Sequence, residues 1–393
     1  MSIELPQMKT ETSGDKPARN ELNPAGGRIR SLQHLRVIAA SVIVLYHTEL
    51  QLTRLTDGQH QHSLSFFAAG TDLFFAIGGF ILVYTQSDRK ERFGTFLYRR
   101  IMRIAPLYWL FTFLMLLALL VAPSHLLTTK VELPHFLLSL AFIPYPHPVL
   151  GVDRPFLFPG WVLNHFVFFY VLFGALLFLT TGRRVLVASA LLCALMVLKF
   201  LFPGASRILD FYGETVGLDF VLGMIVGWLF LERRVSPVFI VLVALIGVSV
   251  FAAGVLGGVS GGSDRAFFWG VAGASLLFVC VFVEKQWGWP DLRWIRKMGD
   301  MSYSVFVSHL FALAVVASIA RAIWPLPIAG IWSARIVFLA AAWGLGFCVH
   351  TVIEAPLLRY LGRQRKQGSV KPDGVVLVKG PSDAPISPDA ALP

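Results

Sequence analysis

Charge is scarce in this chain: only 15% of its 393 residues are Asp, Glu, Lys or Arg. Together with 56% hydrophobic residues and a mean hydropathy of +0.68, that scarcity excludes an ordinary soluble globular domain. Cysteine is nearly absent. Cys193, Cys280 and Cys348 all fall inside apolar runs at packing positions, so neither a disulfide framework nor a metal site is expected. No cleavage of a leader is expected either: residues 1–30 are polar, rich in Pro, Gly and charge, and have no apolar h-region. No basic groove interleaved with aromatics is found, so the net charge of +11 calls for something other than nucleic acid.

What the chain has is apolar length. Runs near the ~20 residues a bilayer requires recur at roughly 37–53, 64–84, 104–122, 160–179, 185–202, 212–231, 237–256, 266–283, 302–320 and 331–352. The prediction is an all-α polytopic membrane protein of about ten transmembrane helices. Cytoplasmic loops carry the excess of Lys and Arg. With both termini in the cytoplasm, the N-terminal tail, the 85–103 and 284–300 loops, Arg183/Arg184, Arg233/Arg234 and the C-terminal segment gather most of the 34 basic residues on that side. Topology and anionic membrane lipid then account for the charge.

One membrane domain, 31–362, is expected between disordered cytoplasmic tails at 1–30 and 363–393. The outer segment 123–159 carries prolines at 123, 134, 144, 146, 148, 155 and 159 around an apolar HFLLSLAFI, about half the length needed to cross. It reads either as a re-entrant or interfacial element capping a cavity or as a surface loop. The GGVSGG stretch at 257–262 reads as an outer turn with no chemistry.

Ionisable residues inside apolar runs mark candidate function, because they are costly in lipid unless they face protein or water. Arg36 and His47 lie eleven residues apart in LRVIAASVIVLYHTE, on one helical stripe roughly 16 Å apart. The structural alternative for His47 is a packing histidine bonded to backbone. Arg100 and Arg103, with Arg99 beside them in FLYRRIMRIAPLYW, are neighbours on one face and suit a phosphate or pyrophosphate, although the positive-inside rule alone also supplies them. Asp72 in FFAAGTDLFFAIGGF is placed to hold one imidazole nitrogen of His47; alternatively it pairs with an arginine or caps a broken helix. Gly78 and Gly79 allow close helix approach nearby. His309 with Ser302-Tyr303-Ser304, Asp219, and Glu354-Ala-Pro356 are weaker candidates that interhelical hydrogen bonds would equally explain.

Taken in order, Arg36-x10-His47, GTDLFFAIGGF, RRIMRIAPLYW, PGWVLNHFVFFY, SYSVFVSHL and EAPLLR resemble the acyltransferase family 3 of bacterial inner-membrane proteins, from about residue 31 to 362. The WVLNHFVFFY stretch is most similar to the branch involved in exopolysaccharide production. The resemblance implies O-acyl transfer, usually of acetyl from cytosolic acetyl-CoA, to a hydroxyl of a surface or extracellular polysaccharide or its lipid-linked precursor. It puts the family's essential histidine on His47, its arginine on Arg36 and its Arg-x-x-Arg motif on Arg100 and Arg103. Trp161, Asn164 and His309 are then assigned to the acceptor. The expected mechanism docks the donor phosphates on Arg100, Arg103 and Arg36. His47, oriented by Asp72, serves as general base or as transient acetyl carrier. No metal is implied; a polysaccharide biosynthesis complex is a further partner.

One departure stands out. The family motif at the fourth span usually reads Trp-Ser/Thr-Leu-x-x-Glu; Trp161, Leu163 and Asn164 match here, while the glutamate position holds Phe166 with His165 beside it. Asp219 stands where glutamate is commoner. Two other readings fit the same buried charges: a transporter or flippase, against which no internal repeat is found, and a non-catalytic membrane component of polysaccharide assembly.

Overall fold

The computed structural model describes residues 29–60, 64–87, 91–121, 131–259, 262, 264–323 and 330–368. The expected tail at 1–28 and residues 369–393 lie outside the described residues. Among those described, the chain is helical throughout and no strand forms; Pro146 and Asp153 make an isolated bridge. The long helices are α1 (Arg30–Leu55), α2 (Ala69–Gln86, entered through a 3-10 turn at Ser65–Ala68), α3 (Phe93–Val121), α5 (Trp161–Ala175), α6 (Thr181–Leu201), α8 (Val216–Glu232), α9 (Pro237–Leu256), α10 (Val271–Trp287, entered through a π turn at Ala266–Gly270), α11 (Arg293–Ile323) and α12 (Ile331–Val349). Two short helices, α4 (Leu133–Leu140) and α7 (Arg207–Tyr212), cover connections. A π turn at His350–Glu354 leads into α13 (Ala355–Gly368), which continues past the domain boundary expected at 362.

Each of the ten apolar runs falls on a helix, and nine helices among the described residues are long and apolar enough to cross a membrane. The exception is α8, whose 17 residues lie at the short end of what spans a bilayer. Its burial explains how it keeps that place. A Cβ on Gly223 would stand 1.9 Å from the Ala76 carbonyl oxygen, and one on Gly79 would stand 2.2 Å from that of Phe220. Bare glycine Cα atoms thus let α2 and α8 meet backbone to backbone, the close approach that small residues give helices where lipid supplies no hydrophobic drive. At the rim, α9 is only 17% buried and turns its Val, Leu and Ile outward, whereas the α2 span is 61% buried.

Two stretches expected to be basic loops are helix instead. α3 starts at Phe93 and α11 at Arg293, so Arg99, Arg100 and Arg103 ride on the extended first turns of α3. Arginine and lysine are good helix formers, and single glycines, Gly94 and Gly299, cost too little to stop either stretch, so the helices run on beyond their apolar parts. Side chains close the helix ends at this basic end of the bundle. Glu284 accepts the backbone N–H groups of Arg30 and Ser31 at 2.7 Å each, capping α1. Arg184 donates to the carbonyls of Gln86, Leu176, Leu177 and Leu179, closing α2 and α5 together.

At the opposite end, the described part of the proline-rich segment, 131–159, is a docked cap; residues 123–130 lie outside the described residues. The Tyr108 hydroxyl and Trp109 Nε1 of α3 donate to the carbonyls of Ser139 and Leu140, and Phe156 N donates to Ser139 Oγ at 2.8 Å. Phe142 takes a left-handed φ of 59° and is buried against the Tyr108 ring. His135 donates Nε2–H to the Arg154 carbonyl and meets the buried His147 ring edge-on at 5.1 Å. Burial, with His135 adding to it, pushes the His147 imidazole down to about 4.

Candidate active site

An unbroken α1 carries both Arg36 and His47, so the eleven-residue spacing keeps its meaning: about 16 Å of rise along one stripe. His47 is half-buried and donates Nδ1–H to the Ile43 carbonyl one turn back, at 2.9 Å. A carbonyl can only accept, so this bond fixes the tautomer and leaves the lone pair on Nε2. Around the imidazole stand the rings of Tyr46 at 5.4 Å, Phe158 at 6.5 Å and His309 at 4.9 Å between centroids. His309, on α11, is fully buried and has the same tautomer, Nδ1–H donating to the Phe306 carbonyl at 2.7 Å. Its Nε2 is buried with no hydrogen-bond partner.

Asp72 does not orient His47. Its carboxylate is fully buried in the first turn of α2 and forms a two-pronged pair with Arg265, Nε to Oδ1 and Nη2 to Oδ2 at 2.9 Å each. Nη2 also reaches the Ala68 carbonyl at 3.2 Å. The orienting partner expected of a carboxylate is the Ile43 carbonyl of the histidine's own helix. Asp219 lies beside the Asp72–Arg265 pair, fully buried, with no hydrogen-bond donor on either oxygen and with Oδ1 in the space a Cβ on Gly270 would fill. Thus Asp72, Asp219 and Arg265 form one cluster locking the N-terminal ends of α2, α8 and α10.

At the basic end, Arg100 donates to Thr85 Oγ1 at 2.6 Å and lies over the rings of Phe96 and Tyr170. Arg103 is 40% exposed and pairs with Glu354 at 3.3 Å; Glu354 is buried and also accepts from Ser304 Oγ and His350 Nδ1. Arg99 pairs with Glu91, and Arg36 reaches Gln33 at 3.4 Å. A guanidinium has five N–H donors, more than the Glu354 carboxylate takes from Arg103.

Trp161 sits at the start of α5, three residues after Phe158, with Arg154 4.9 Å over its ring and Arg265 at 6.0 Å. Asn164 is fully buried, and neither its amide nitrogen nor its oxygen has a partner. His165 does not stand in for the family's glutamate: its two ring nitrogens lie 3.0 and 3.1 Å from the carbonyls of Trp161 and Phe211, which ties α7 to α5. Phe166 fills a notch over Gly78, stacked on Phe75 at 5.2 Å and edge-on to Phe74. A carboxylate there would be stranded among the rings of Phe74, Phe75, Phe169 and Tyr170.

Sequence reasoning passed over three charged groups. Arg265 follows the glycine-rich turn, where nothing local points to an aspartate 193 residues away. Glu49 and Arg335 form a buried pair at 2.8 Å, with His60 Nε2 on the other carboxylate oxygen. Arg335 lies inside an apolar run and by that alone signalled a buried partner. At the meeting of α1 and α11, the half-buried His47 ring thus keeps a lone pair on Nε2 and lies beside the buried, unpartnered Nε2 of His309.

The family described as "Acyltransferase domain" matches residues 29–349. The exopolysaccharide production protein ExoZ of Rhizobium meliloti (strain 1021) is 33% identical over 313 residues, 78% of this chain and 93% of that protein. No solved structure matches at a significant level. With that match running from the first residues of α1 to the end of α12, over helices apolar enough to cross a membrane many times, the chain belongs to the acyltransferase family and is a multi-pass membrane acyltransferase.

Proposed function

We propose that this protein is an O-acetyltransferase of the bacterial inner membrane. In this reading it moves acetyl from cytosolic acetyl-CoA to a hydroxyl of an exopolysaccharide or of its lipid-linked precursor. The observation that carries this is the His47 imidazole, half-buried, with Nδ1–H tied to the Ile43 carbonyl and a lone pair left on Nε2. The relative's name supplies the polysaccharide context. The chain crosses the membrane ten times, α8 included, with the basic end and both termini in the cytoplasm; the clustering of Lys and Arg at that end supports the orientation.

Acetyl-CoA docks at the basic end with its phosphates on Arg100, Arg103 and Arg36, and its pantetheine arm extends toward His47 about 16 Å above Arg36. Trp161, Asn164 and His309 hold the acceptor sugar. His47 Nε2 takes the hydroxyl proton as the sugar oxygen attacks the thioester carbonyl. The C–S bond breaks, a C–O bond has formed, and the leaving thiolate takes the proton from the imidazolium. Asp72 has no part in these steps; it holds the fold around them.

The test is acetyl content of the secreted polysaccharide, by mass spectrometry, in a deletion strain complemented with wild type or His47→Ala. The Ala variant is expected to reach the membrane at normal level and to lose acetyl transfer by at least about a hundredfold, the low end of what general acid–base catalysis contributes. Full acetylation by His47→Ala would remove this site. A deletion strain whose glycan is unchanged would remove the function.

A further inference from the structure

The two histidines pose a hydrogen-bonding problem. Each spends its Nδ1–H on a backbone carbonyl of its own helix, so each presents Nε2 as an acceptor. The rings are 4.9 Å apart between centroids and tilted by 60°, and His309 Nε2 is buried without a donor. Arg265 is held by Asp72, and Arg335 and His60 by Glu49. A buried acceptor with nothing to accept is destabilising, and a native protein that retains one calls for a reason.

From this pairing we infer that His309 binds a second hydroxyl of the acceptor, so that the enzyme's substrate is a sugar presenting two neighbouring hydroxyls, one donating to His47 Nε2 and reacting, the other donating to His309 Nε2. The inference rests on the acyl-transfer reading above and adds to it the acceptor's chemical class. A single hydroxyl has one hydrogen to donate and leaves one imidazole unsatisfied. Two hydroxyls on adjacent or next-but-one carbons of one ring bring two donors, as two neighbouring lone pairs require. No proton moves to His309 and no bond changes there; the second hydroxyl is held, and holding it fixes which oxygen faces the thioester.

The experiment uses purified full-length protein, acetyl-CoA, and the producing strain's own exopolysaccharide after mild removal of its esters, with coenzyme A release as the readout. His309→Leu, which keeps volume and removes the acceptor atom, is expected to lower kcat/KM for the polysaccharide by about tenfold or more while the KM for acetyl-CoA stays within about twofold. His309→Gln, whose Oε1 accepts a hydroxyl, is expected to recover most of the loss. An unchanged acceptor kcat/KM in His309→Leu overturns the inference, as does a Gln variant that falls as far as Leu, because volume rather than an acceptor atom would then matter. NMR of the wild-type product needs no variant to fold. The acetylated carbon is expected to have a free hydroxyl on the adjacent or next carbon, and an acetyl found with neither refutes the proposal. Wild-type protein releasing no coenzyme A above the acceptor-free level, with this polysaccharide or with lipid-linked saccharides extracted from a deletion strain, would instead sink the underlying acyl-transfer reading, and this inference with it.

Discussion

Removing Arg265 should unfold the end of the bundle where α2, α8 and α10 begin, not merely slow its chemistry. Asp72 is fully buried, and its carboxylate takes two charge-assisted N–H bonds at 2.9 Å from a guanidinium that is itself only 18% exposed. Each such bond contributes about 1.5–3 kcal/mol. Loss of one partner also strands a buried charge, and breaking a buried pair costs about 3–5 kcal/mol. Asp219, beside the pair and without a donor of its own, adds a second carboxyl that loses the only nearby cation in the cluster, so Arg265→Ala belongs at the upper end of that range. The assay is thermal unfolding of detergent-purified protein for wild type, Arg265→Gln, Asp72→Asn and the double variant. Both singles should be strongly destabilised and the double much less than their sum, with a coupling of about 2 kcal/mol or more. Coenzyme A release per folded molecule in the double variant should stay near wild type. A double variant that is stable but inactive would refute the reasoning and return Asp72 to the chemistry of His47.

Other outcomes follow from single contacts. Gly78→Ala puts a Cβ 2.2 Å from Cε1 of the buried Phe166, and should cost about 1–3 kcal/mol in detergent melts, relieved when Phe166→Leu is added. The His147 imidazole, held down to about 4 against an ordinary 6.5, is favoured neutral in the folded cap. The stability it contributes is therefore complete above pH 6.5 and is lost as pH falls from 6.5 through 4. The hydrogen-exchange protection factors of residues 131–159, corrected for the intrinsic rate at each pH, should fall between pH 7 and pH 4.5, and His147→Phe should flatten that dependence; an unchanged slope would refute the assignment.

The sequence by itself determined the class of the protein. Apolar runs of bilayer length force helices because lipid offers no partner for backbone N–H and C=O groups, and that constraint acts locally, run by run, from α1 to α12. It also determined the Arg36–His47 stripe, since a fixed helical rise needs no tertiary knowledge, and the placement of Gly79 at a close helix contact. It did not determine where helices end in polar sequence. The basic starts of α3 and α11 read as loops, because charge marks the membrane boundary and not the helix boundary. Nor did it determine who pairs with whom. Asp72 looked toward His47 because both are ionisable and at similar depth, yet a carboxylate at 193 residues' separation from Arg265 is claimed by the nearest full positive charge, and only packing of α10 against α2 brings that charge near. The histidine's orientation fell to a backbone carbonyl, a group every residue carries and no pattern marks. Tertiary structure alone set His309 against His47, because adjacency between α1 and α11 is decided by which helix faces fit together, and that is a property of the whole bundle.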